Sequence, residues 1–142
     1  MEENINALDE IHKGSCMGMD AVSFVLGKTE DDGLKEFLDK QYEEYQKINK
    51  QIEEIYPKYN NDKPHETNAM NKAMTWYGIE MKTLTDKSNS KIAELLLNGV
   101  NMGIIEGRKI LNQKKINSEV RSIISTYVEM QEESVEVLKQ YL

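Results

Sequence analysis

Few side chains in this sequence could do chemistry. There are two histidines, His12 and His65, and one cysteine, Cys16. His12 falls on the apolar stripe of its helix, one turn before Ser15. A metal-binding or catalytic role is open to it, but such a histidine more often sits at the edge of a core, satisfied by a neighbour. His65 follows Pro64 at the start of a helix and is expected to be exposed. Two isolated histidines make no triad. Cys16 points about 100° around its helix from the stripe. His12 and Lys13 are the basic residues at helical spacing from it, so a reactive thiol is conceivable, although a small inert packed residue accounts for it as well. A single cysteine excludes an intrachain disulfide and any Cys-Cys metal motif.

Carboxylates are more numerous. Asp20, Glu43, Glu44, Glu106, Glu129, Glu132 and Glu133 could be paired for acid–base work. Most fall off the apolar stripes, where a solvated face explains them. Glu106 is the exception, because it borders an apolar flank beside Gly107. The chain carries 25 acidic and 18 basic residues, a net charge of −7. With no basic stripe to release counterions, nucleic acid is not an expected partner. No apolar run approaches the ~18–20 residues of a membrane span, so no membrane is expected either. The acidic start, Met-Glu-Glu-Asn, does not resemble a signal peptide, and the chain reads as cytoplasmic.

The elements that position these groups are helices. The chain has 142 residues, 39% hydrophobic and 30% charged, with two prolines. That suits one domain, 1–142, of helices with polar outer faces. Five helices are predicted. The first covers about 3–26 and stops at Gly27. The second, capped by Thr29 or Asp31, runs to Tyr56, where Pro57 ends it. A loop at 58–64 precedes a third at about 65–84. Ser88 or Asn89 caps a fourth to about 112, and Asn117 or Ser118 caps a fifth. The break at 85–89 could instead be a kink in one long helix.

The first helix places Ile5, Leu8, His12, Ser15, Met19, Val22 and Leu26 on a seam at spacings of three and four, with Ile11, Gly18 and Val25 on its flank. The second gives Leu34, Leu38, Gln41, Tyr45, Ile48, Ile52 and Ile55. The third gives Met70, Met74, Tyr77, Met81 and Leu84. The fourth helix repeats the first: residues 14–19 return as 99–104, an offset of 85. The seam becomes Ala93, Leu97, Val100, Ile104, Gly107 and Leu111, with Leu96, Gly103 and Ile110 on the flank. With one residue inserted in the turn, the fifth helix gives Val120, Ile124, Tyr127, Gln131, Ser134, Leu138 and Tyr141. Two helical hairpins related by a pseudo-twofold follow. Gly18 and Gly103, each costing about 1 kcal/mol against Ala inside a helix, are expected where two backbones approach closely.

Residues 14–20, 31–48, 76–85, 92–107 and the final helix, in that order and spacing, resemble the ferritin-like superfamily, nearest to its bacterial branches of unknown function. The resemblance implies an all-α, ferritin-like up-down four-helix bundle built from two helical hairpins plus an additional crossover helix. It also implies a di-metal site halfway along, held by a Glu from one helix of each pair and a Glu-x-x-His from the other. The matching positions here are Ser15, Tyr45, Ile48, Val100, Gln131 and Ser134. None is a carboxylate or an imidazole, which a di-iron site needs.

The expectation is therefore a bundle without a di-metal centre or other cofactor, not an enzyme but an interaction or structural module that self-associates or binds another protein. A di-iron or manganese protein in another register is one alternative, and a small-molecule sensor is another. Ser15, Tyr45, Gln131 and Ser134 are the candidate central polar layer, able to satisfy one another or to line a small-ligand pocket. Met70, Met74, Trp76 and Met81 are the candidate interaction patch, because methionine-rich surfaces adapt to partner helices.

Overall fold

Local sequence signals set the helix ends. In a computed structural model describing residues 2–60, 64, 78, 80–81 and 84–142, four long helices form: α1 (Glu2–Leu26), α2 (Asp32–Ile55), α3 (Asn89–Gln113) and α4 (Ser118–Lys139). Of the two candidates for the α2 cap, Asp31 is the one used: its Oδ1 accepts from the Leu34 amide at 2.8 Å. Its other oxygen accepts from Asn89 Nδ2 at 3.2 Å, tying the starts of α2 and α3 together. Ser88 Oγ accepts from the Lys91 amide at 3.2 Å and caps α3. Asn117 stands at the α4 start without a side-chain cap bond. Pro57 lies in a short 3-10 turn, Tyr56–Lys58, that ends the first hairpin. Gly27 follows α1 without entering the left-handed conformation.

The break at 85–89 is real, since residues 84–88 are not helical. The called third helix lies mostly outside the described residues. Within it Gly78, Glu80 and Met81 are helical, and Met81 and Leu84 belong to the core. Of the called patch, Met70, Met74 and Trp76 also lie outside the described residues. Met81 is only 4% exposed and packs into the core. Among the described residues no helix is long and apolar enough to cross a membrane.

The direction of each helix follows from contacts between their ends. Asn117 N donates to Asn4 Oδ1 at 2.8 Å, placing the start of α4 beside the start of α1. Lys58 and Tyr59, just past α2, both reach Glu119 in the first turn of α4. The Asn89–Asp31 bond puts the starts of α2 and α3 at the opposite end. If α1 runs up, then α2 runs down, α3 down and α4 up. The helices do not strictly alternate, and the link from α2 to α3 must traverse the bundle. Each hairpin packs mainly on itself, α1 against α2 and α3 against α4, while α1 with α3 and α2 with α4 form the joint between hairpins.

The core lies between these four faces, mostly apolar with a few buried polar residues among them, and it corrects one expectation. In α1 the buried stripe is Leu8, Ile11, Ser15, Val22 and Val25, with Ala7, Gly14, Met17 and Ala21 beside it. His12 and Met19 are only half-buried, so the predicted seam is rotated toward α2. In α3 the same rotation holds: Leu96, Val100, Gly103 and Ile110 are buried, while Leu97, Ile104 and Leu111 sit at the edge. The buried face of each helix thus lies between the predicted seam, of which Leu8, Ser15 and Val22 in α1 and Ala93, Val100 and Gly107 in α3 are buried, and its flank. The α2 and α4 seams lie inward as expected, down to the half-buried Ile55 and Tyr141 at their ends.

Removing the cap oxygen of Asp31 strands an α2 amide and also breaks the Asn89 link. Asp31→Ala is expected to lower unfolding free energy by about 1–2 kcal/mol, and Ser88→Ala by roughly 1 kcal/mol or less, measured by urea denaturation.

Candidate functional site

The midpoints of the four helices meet in a polar layer inside the apolar core. All six positions that would hold metal in a ferritin-like site are buried: Ser15, Tyr45, Ile48, Val100, Gln131 and Ser134. Tyr45 OH donates to Gln131 Oε1 at 2.8 Å, joining α2 to α4. Gln131 also hydrogen-bonds the Tyr127 hydroxyl, and with its oxygen engaged by Tyr45 the amide nitrogen is the donor. Gln41 Nε2 donates to Ser134 Oγ at 3.0 Å, and Ser134 Oγ donates to the Met130 carbonyl one turn back at 2.9 Å. The rings of Tyr45 and Tyr127 stand 6.5 Å apart at a tilt of 50°.

The layer differs from the predicted set in two ways. Ser15 is fully buried at this level, but its hydroxyl has no partner and does not join the other three. Gln41 and Tyr127 belong to it and lie on the predicted seams, but outside the six matching positions and the predicted layer. The i, i+4 pairs Gln41/Tyr45 and Tyr127/Gln131 are the same pair reversed, one on each hairpin. That relation is visible in the sequence.

Glycine makes the layer possible, for a reason other than backbone approach. A Cβ on Gly18 would lie 2.4 Å from the Tyr45 ring. On Gly103 it would lie 2.6 Å from Gln131 Nε2 and 2.7 Å from the Tyr127 oxygen. Both glycines therefore vacate the space that a large polar side chain from the facing helix fills. The remaining void, lined by Gly14, Gly18, Gln41, Tyr45, Gly99 and Gln131 among others, is about 20 Å³. That is room for one water and too little for a metabolite. Gln41 Oε1, which has no protein partner, borders it.

Burial pushes the Tyr127 hydroxyl up to about 12, with the Gln131 hydrogen bond opposing and the charge of Glu106 adding. Burial, then the charge of Glu106, raises Glu10 above the ordinary carboxylate range. The charge of Glu106 thus reaches both Glu10, across the α1–α3 joint, and Tyr127 in the layer. Asp9 and Lys13, one helical turn apart, are 1% and 4% exposed. Both have partners, and Tyr56 OH donates to Asp9 Oδ1 at 2.7 Å. These buried charges were not anticipated.

A second cluster lies on the α1–α2 edge. His12 Nε2 is 3.3 Å from Glu53 Oε1, so His12 is a core-edge residue with a carboxylate partner. His12 Nδ1 faces Cys16 Sγ at 3.9 Å. Asn49 Nδ2 lies 3.5 Å from Cys16 Sγ and 3.1 Å from Met19 Sδ. Burial raises the Cys16 thiol, and the nearby Asp20 and Glu53 add to this against the Asn49 hydrogen bond. A thiol held protonated in this way is a poor nucleophile. Among the described residues, His, Cys, Asp and Glu nowhere gather in a group of three able to hold a metal ion. Compared with models of protein families, with curated proteins and with solved structures, the chain finds no significant match.

Gly18→Ala is expected to destabilise by about 1–3 kcal/mol, because overpacking against Tyr45 outweighs the helix preference of Ala. Tyr45→Phe is expected to cost about 1–3 kcal/mol by stranding the Gln131 oxygen. Urea denaturation checks both. A tyrosine pKa raised by folding gives stability that is complete below the unfolded value near 10 and lost as pH rises toward 12. Stability should therefore fall by up to roughly 2–3 kcal/mol across that window, and Tyr127→Phe should flatten the fall in denaturation midpoints measured from pH 9 to 12.

Proposed function

We propose that the chain is a ferritin-like bundle whose centre serves structure and not catalysis, and that it acts as an interaction or structural module for a second copy or another protein. The order up-down-down-up, with one long crossover between two hairpins, supports the ferritin-like part. That fold is distinguished from simple bundles by such a single crossover.

The observation that carries the functional part is the Tyr45–Gln131 hydrogen bond. It occupies the level at which facing helices of a di-metal bundle present their carboxylates. An amide, a phenol, a hydroxyl and hydrocarbon at the six matching positions supply no negative charge to offset two divalent cations. The void of about 20 Å³ weighs against the sensor reading for the same layer. No nucleophile, base and orienting group converge there, so the reading is non-enzymatic.

Protein purified without chelator is expected to carry no stoichiometric iron or manganese. About two equivalents of either by elemental analysis would overturn the proposal. Light scattering on a sizing column is expected to show a self-associated species, and a strict monomer would leave a different protein as the partner to be sought.

A further inference from the structure

The internal repeat provides a control for the α1–α2 edge. His12, Cys16 and Met19 correspond, at the offset of 85, to Leu97, Asn101 and Ile104. Asn49 corresponds, with the extra turn residue, to Val135. In the second hairpin Leu97, Ile104 and Val135 are hydrocarbon packed on the rim of the core, and Asn101 is exposed. The fold thus closes this edge with apolar groups. In the first hairpin the same edge holds an imidazole, a thiol, a thioether and a carboxamide, which packing does not require.

Their arrangement is directional. Glu53 engages His12 through Nε2, leaving Nδ1 turned to the sulfur of Cys16. A carboxylate on one ring nitrogen, with the other nitrogen facing outward, is how metal-binding histidines are oriented. Asn49 brings both sulfurs within reach of one amide nitrogen. It is 9% exposed, and its Oδ1 has no partner. Sulfur is a weak acceptor, so this buried amide gains little from its donors while its oxygen stands bare, an arrangement that costs free energy.

We propose that His12 Nδ1, Cys16 Sγ and Met19 Sδ form a binding site for a single Cu(I) ion, with Glu53 fixing the imidazole and Asn49 donating to the bound thiolate. The donor set chooses the ion. Thiolate and thioether are soft and select Cu(I), whereas Zn(II) takes four ligands drawn from thiolate, imidazole and carboxylate. Among the described residues no third group of that harder kind joins His12 and Cys16 in a set able to hold a metal ion, Glu53 lying on the opposite ring nitrogen of His12. The 3.9 Å between Sγ and Nδ1 is spanned by one ion bonded to each at roughly 2.0–2.3 Å. Binding replaces the Cys16 thiol proton, which leaves to solvent; copper enters and stays as Cu(I), so no oxidant or reductant takes part. An open groove of about 700 Å³ reaches Met19, Asn49 and Glu53 of this cluster. This site is separate from the central layer and goes beyond the module reading.

The test is anaerobic titration of the full chain with Cu(I) in competition with bicinchoninate. One retained equivalent is expected, lost in Cys16→Ala. His12→Leu and Met19→Ile install the side chains that the second hairpin already packs, so helicity should be unchanged while affinity falls at least ~10-fold in each; Asn49→Val should cost roughly 10–100-fold. X-ray absorption of the wild-type copper complex should show two sulfur scatterers and one nitrogen. Failure to retain copper would overturn the proposal. So would undiminished affinity in both His12→Leu and Met19→Ile, which would reveal a lone thiol. Iron or manganese at the bundle centre would instead refute the module reading and leave these copper readouts unaffected.

Discussion

Two large polar side chains can share the middle of a narrow bundle only if the helices opposite them contribute nothing there. Tyr45 and Gln131 meet at 2.8 Å across the joint between hairpins, and Gly18 and Gly103 are the empty places that admit them. The distance between α1 and α2, the level at which the hairpins dock and the size of the remaining void all follow. Sliding one hairpin past the other by a turn would part Tyr45 from Gln131 and Gln41 from Ser134, leaving buried polar groups without partners. The layer therefore acts on register, while the apolar rows above and below supply most of the burial.

Much of this architecture is legible in the sequence. Spacings of three and four, Gly27, the Asp31 and Ser88 caps and Pro57 mark the helices, because each reflects a local requirement of the backbone. The offset of 85 relates the hairpins. It also carries a shared rotation: His12 and Met19 look like seam residues because imidazole and thioether are counted as apolar, and Leu97 and Ile104 inherit the placement. The glycines were legible as features but not in their cause. What a missing side chain makes room for depends on the facing helix, and here the occupants are a phenol ring and a carboxamide.

The α1–α2 edge was not legible as a cluster. Cys16 meets Asn49 across 33 residues and His12 meets Glu53 across 41. Joining them requires the hairpin register to within one residue, as well as the rotation that the seam misplaces. Neither Asn49 nor Glu53 stands out in composition, and Met19 reads as core. The reversed pairs Gln41/Tyr45 and Tyr127/Gln131 were within reach, since both lie on correctly placed seams. Buried Asp9 and Lys13 break the rule that charges mark the outer face, and only tertiary partners could account for them.

The parallel course of α2 and α3 has a kinetic side. About thirty residues separate the turn after α2 from the start of α3, and the link has to climb a helix length of roughly 37 Å. Each hairpin closes through a short turn, so its contacts are local and can form early; docking of one hairpin on the other is non-local and waits on closure of the roughly thirty-residue link. The chain is thus divided into two quickly made halves and one slow event. The glycine-admitted phenol and amide are completed only in that last step.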